Sequence, residues 1–96
     1  MSKTDRSEVR YQQNPSVSCS ELDDGAILLN LNTKYYYNLN ETGLRIWQSL
    51  TESSNVAEIV EKIVAEYEVE RDRAIESVER ILTDLKKERL VIRLLL

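Results

Sequence analysis

Ala26-Ile27-Leu28-Leu29-Asn30-Leu31-Asn32-Thr33-Lys34-Tyr35-Tyr36-Tyr37-Asn38-Leu39-Asn40 is the stretch that decides the fold. Its first six residues read as a buried-type strand. Asn32-Thr33 supplies turn chemistry, and Lys34–Leu39 is rich in strand-forming aromatics. Upstream, Asp23-Asp24-Gly25 marks another turn, and Val17-Ser18-Cys19-Ser20-Glu21-Leu22 alternates weakly. Three short strands joined by two tight turns make an antiparallel meander. Successive strand residues point to opposite faces, so three consecutive tyrosines cannot all be core. Tyr35 and Tyr37 are expected to face inward with Leu39, and Tyr36 outward.

Downstream of the meander the apolar period becomes helical. Asn40 can cap a helix reaching about Leu50, with Leu44, Trp47 and either Ile46 or Leu50 on its inner face. Trp47, the single tryptophan, is expected in the core. Asn55 and Glu58 form a capping-box variant before Val56, Ile59, Ile63 and Tyr67. A last helix is predicted from about Glu70 to Glu88. Ala74, Val78, Ile81 and Leu85 share its stripe, and Ile75 and Leu82 widen that stripe into an apolar shoulder. Strands followed by three helices predict a winged-helix-like α+β domain over 17–96. Residues 1–16 show neither periodicity and read as a flexible arm. The apolar run Leu90–Leu96 either folds back as a final strand or stays exposed to dock a partner enzyme or a second copy in a homodimer.

Composition removes several function classes. The 96 residues contain no histidine, which takes away the commonest general base, the histidine-activated nucleophiles and the usual metal ligand. Two glycines cannot build a phosphate-cradling loop. The single cysteine excludes an internal disulfide and suits a reducing, cytoplasmic setting. The N-terminus lacks the apolar segment of a secretory signal, and no run is long enough to span a membrane. A net charge of −4 argues against nucleic acid or an anionic membrane as partner. Glu76, Glu79 and Asp84 read as a solvated helix face rather than an acid–base pair. The expectation is a protein without catalytic residues, metal or cofactor.

At Asn38-Leu39-Asn40-Glu41-Thr42-Gly43, followed by Ile46-Trp47, the sequence resembles the PqqD family of leader-peptide-binding domains, the RiPP recognition elements. The likeness continues through Asn55–Ile59, Tyr67-Glu68-Val69 and Val78–Leu85 to Leu90-Val91. Tyr36-Tyr37 before Leu39-Asn40 fits the aromatic pair that ends the family's third strand. The resemblance implies three strands and three helices, and a leader peptide that adds as an extra strand to the edge of the third. It also implies a processing enzyme as second partner: a leader-removing protease in lasso-peptide assembly, which is favoured, or a radical enzyme in pyrroloquinoline quinone assembly. One departure is Lys34, at a position where the family commonly has glycine. Positive φ would strain a lysine there by about 1 kcal/mol or more, so a different turn geometry is expected.

For the peptide groove, the expected residues are Lys34, Tyr35, Tyr36, Tyr37 and Asn38 on the strand. Arg71, Ile75, Glu79, Leu82 and Lys86 are expected on the helix, chosen from the apolar shoulder and its flanking charges. Two rivals stand beside this: a winged-helix transcription factor, disfavoured by charge, and a structural subunit that only stabilises an enzyme. The last helix balances six acidic against six basic residues over 70–89, whereas a DNA-recognition helix is normally basic.

Overall fold

A computed structural model of the chain describes residues 9–52 and 55–95. In order it contains β1 (Val9–Gln13), β2 (Val17–Leu22), β3 (Gly25–Asn30), β4 (Tyr36–Asn40), α1 (Glu41–Glu52), α2 (Val56–Tyr67), α3 (Arg71–Lys87) and β5 (Val91–Leu95). The α+β architecture expected from the sequence is observed. β2, β3 and β4 form an antiparallel sheet in that order, so β4 is an edge. Leu28 lies opposite Tyr37 and Ala26 opposite Leu39, which puts these four on one face of the sheet. Ala26, Leu28 and Leu39 are buried there with Ile46, Trp47 and Leu50 of α1. Complete burial of Leu28, Ile46, Ile59, Leu82 and Leu85 contributes about 1.5–3 kcal/mol each before conformational entropy is subtracted.

The expected flexible arm needs correction. Residues 1–8 lie outside the described residues, but Val9–Gln13 is a strand, paired antiparallel with β5 in a second, two-stranded sheet. Polar glutamines hid it, because one face only is covered. Tyr11 is buried, and the Gln13 side chain donates from Nε2 to the Trp47 carbonyl at 2.9 Å. The C-terminal run folds back as β5, the first of its two expected fates. Val91 is buried within it, while Ile92 stays exposed.

Helix starts follow from asparagine caps. Asn40 Oδ1 accepts from the Gly43 N–H at 2.8 Å, so β4 passes straight into α1. Asn55 Oδ1 accepts from Ala57 and Glu58 at the start of α2. Gly25 answers a packing need. A Cβ at that position would sit 2.0 Å from the Leu39 carbonyl oxygen, so only glycine lets β4 come this close.

The β3–β4 connection departs from the expected two-residue turn. Five residues link the strands, and Lys34 takes the left-handed conformation (φ 67°) despite being lysine. The buried side chain of Asn30 over-determines this loop. Its Oδ1 accepts from Asn32 N–H (2.9 Å) and Thr33 N–H (3.1 Å), its backbone carbonyl accepts from Lys34 N–H (2.7 Å), and its Nδ2 donates to the Arg89 carbonyl (3.1 Å). β4 therefore begins at Tyr36, two residues later than the sequence indicated. Asn30→Ala should destabilise the domain by about 2 kcal/mol, lowering Tm by roughly 8–16 °C in a thermal melt. A shift of only a degree or two would show that the side chain does not set the loop.

Candidate functional site

The site begins with the open edge of β4. Asn30 N–H donates to the Tyr35 carbonyl at 3.0 Å, which makes 30 and 35 a hydrogen-bonded pair. Antiparallel pairs alternate, so Tyr37 and Leu39 also direct their backbone groups to β3. Tyr36 and Asn38 then point N–H and C=O outward, toward the side where no strand lies among the described residues. Side chains alternate the other way: Tyr37 and Leu39 face the helices, and Tyr36 and Asn38 face away.

Beside this edge lies a cleft of about 550 Å³. It exists because α1 packs against β3 and β4, whereas α3 packs against α2 and β5 and stands off from β4. The floor is apolar, made by Ala26, Leu39, Gly43 and Ile81. Asp24, Asn38, Asn40 and Arg80 form the rim, with Leu22 and Tyr37 completing the wall. The Tyr37 phenol is pushed up from its ordinary pKa, first by burial and then by the Asp84 and Glu88 carboxylates, with Arg80 opposing. Arg80 and Asp84 of α3, with Glu88 at its C-cap, therefore stand within electrostatic reach of Tyr37.

The strand half of the expected groove is on this edge. Tyr37 and Asn38 line the cleft, Tyr36 offers its outward backbone, and Lys34 and Tyr35 are exposed in the preceding loop. Tyr35 does not face the core as expected; it is 71% exposed, because the loop held by Asn30 turns it out. The helix half is not brought to the strand. Leu82 is 1% exposed and belongs to the core. Arg71 pairs with Glu61 of α2. Ile75 and Glu79 line a shallow depression made by α3 residues alone, and helical spacing puts Lys86 on their flank. The flank that faces β4 carries Arg80, Ile81, Asp84 and Glu88 instead. Periodicity shows which residues share the stripe, but both flanks of that stripe are apolar, and only tertiary packing decides which meets the sheet.

Cys19 is exposed on β2, its thiol pushed up by burial first and by Glu21 second, which leaves little thiolate for nucleophilic chemistry. Among the described residues, no helix is long and apolar enough to cross a membrane.

A three-stranded antiparallel sheet with β4 as an edge strand, beside a cleft under the last of three helices, defines a small α+β module. The family model for coenzyme PQQ synthesis protein D (PqqD) matches residues 25–91, more than half of the chain, and the chain belongs to the PqqD family, whose fold is that of the RiPP recognition elements. Two solved structures are similar. TbiB1 in complex with the TbiA(beta) leader peptide is 34% identical at a TM-score of 0.77, covering 83% of this chain and 93% of that one. A lasso peptide synthetase B1 complexed with the leader peptide is 29% identical at a TM-score of 0.77, covering 86% of this chain and 98% of that one. No curated protein matches the chain.

The electrostatics of the cleft can be checked directly. Both carboxylates raise the energy of the Tyr37 phenolate, so Asp84→Asn and Glu88→Gln should each lower the Tyr37 pKa, Asp84→Asn the more. An NMR pH titration of the tyrosine Cζ resonances reads this. An unchanged Tyr37 in both variants would place α3 too far from the strand to form the cleft.

Proposed function

We propose that the chain is a non-catalytic binding module that takes the leader peptide of a ribosomally made precursor as an added strand on β4 and hands it to a processing enzyme. The observation that carries this is the pairing of outward backbone groups at Tyr36 and Asn38 with an adjoining cleft whose floor is apolar. Main-chain hydrogen bonds supply affinity and do not depend on sequence, while the cleft selects an apolar side chain of the peptide. The peptide groove then consists of Tyr36, Tyr37 and Asn38 on the strand with Arg80 and Ile81 on the helix.

A leader peptidase of lasso-peptide assembly is the processing enzyme we favour, because both similar structures hold leader peptides and one is a lasso peptide synthetase B1. The family model's own description supports the second choice, a peptide chaperone for a radical enzyme of pyrroloquinoline quinone assembly. Duplex DNA is the poorer partner. The net charge is −4, and the last helix, where a recognition helix would be basic, is electrically balanced.

Titration calorimetry with the leader peptide of a lasso-peptide precursor tests the reading. Asn38→Pro removes one outward N–H without touching the ladder to β3, and should weaken binding by about tenfold with the fold intact. Ile81→Asp, which charges the floor, should weaken it further. Glu61→Lys, on α2, should leave affinity within about twofold. If Asn38→Pro and Ile81→Asp bind like the wild type while Glu61→Lys does not, the peptide lies elsewhere and the reading fails.

A further inference from the structure

Arg80, Asp84 and Glu88 follow one another at intervals of four along the end of α3 and form a single exposed ridge. That ridge is the helical lip of the cleft. Arg80 lines it beside Asn38 and Asn40, and the Tyr37 phenol lies within electrostatic reach of Asp84, Glu88 and Arg80. Charge along the lip thus changes sign, positive toward Asn40 and negative toward Tyr37. None of the three side chains has an ion-pair partner among the described residues. Folding does not call for this order. Asp84 and Glu88 sit at the C-terminal end of α3, where the helix dipole disfavours acid; Lys86 and Lys87 meet that dipole, Lys86 from another face and Lys87 from the outer side of the ridge, three residues after Asp84.

The spacing suits an extended ligand. Four helical residues advance about 6 Å, and two strand residues advance about 6.6 Å. Side chains at positions i, i+2 and i+4 of an added strand, which share one face, therefore fall opposite successive members of the ridge. Direction follows as well. Arg80 lies by the Asn40 end of β4 and Asp84 and Glu88 by the Tyr37 end, so α3 runs opposite to β4. Antiparallel pairing is the more stable kind and continues the sheet's own pattern, so an added strand runs in the direction of α3.

We infer that the ridge reads the charge order of the bound peptide, taking an acidic side chain at Arg80 followed two or four residues later by a basic one at Asp84 or Glu88. This rests on strand addition to β4 and deepens it. Backbone bonds alone would accept a peptide in either direction or slipped by two residues, and like charges facing each other on the lip reject those alternatives.

Panning a library of random displayed peptides on the full chain at low salt tests this, with each selected peptide checked for amide shifts at Tyr36 and Asn38. The wild type should enrich acid before base at that spacing. The exposed triple variant R80E/D84K/E88K, with an unchanged circular dichroism spectrum, should enrich base before acid and bind the wild type's best peptide about tenfold more weakly. Peptides that shift the β4 amides but show no charge order, show the reverse order on the wild type, or keep their order on the variant, overturn the inference and leave strand addition standing. Selected peptides that leave those amides unmoved overturn strand addition too.

Discussion

The side-chain amide of Asn30 joins parts of the molecule that no strand or helix connects. On one side it holds the β3–β4 loop through two backbone N–H groups, and on the other it donates to the Arg89 carbonyl between α3 and β5. Asn14 donates to the same carbonyl at 2.8 Å, from the turn between β1 and β2. The two sheets and the end of α3 are thereby tied at one polar point. Buried amides are strong constraints because each unmade hydrogen bond costs about 1–3 kcal/mol. Arg89 and Lys34 both hold left-handed backbone conformations, which persist only where the surroundings enforce them. What this knot fixes is the height of β4 relative to α3, and with it the width of the cleft.

An open strand edge is ordinarily a hazard, since its free N–H and C=O groups pair with any extended chain. Here the hazard is confined. β4 is five residues long, and it offers outward groups only at alternate positions before Asn40 turns the chain into α1. The charged ridge of Arg80, Asp84 and Glu88 stands along it. In the function proposed above no catalytic group is called for: selectivity lies in which peptide satisfies the edge, the apolar floor and the lip together.

Much of the architecture was legible in the sequence because local chemistry and long-range packing agree. Asn40 and Asn55 announce their helices by capping them, and Leu28, Leu39, Trp47, Val78 and Leu85 fall where their periods put them, in the core. The failures share a physical cause. β1 has only Val9 and Tyr11 as apolar residues, too few to show a period, and is a strand because β5 pairs with it from the far end of the described chain. Tyr35 turns outward because a distant carbonyl, that of Arg89, anchors its loop through Asn30. On α3, Ile81 was expected in the core stripe and Leu82 on its shoulder, but Leu82 is the buried one and Ile81 is half-buried in the cleft, a choice that no local rule makes. Long-range contacts decided all three.

Hydrogen exchange at single amides of β4 tests the central claim most directly, because strand addition leaves an alternating signature. On binding a leader peptide, the amides of Tyr36 and Asn38 should become strongly protected. Those of Tyr37 and Leu39, already bonded to β3, should change little. Protection that is uniform along the strand, or confined to α2, would contradict strand addition at this edge.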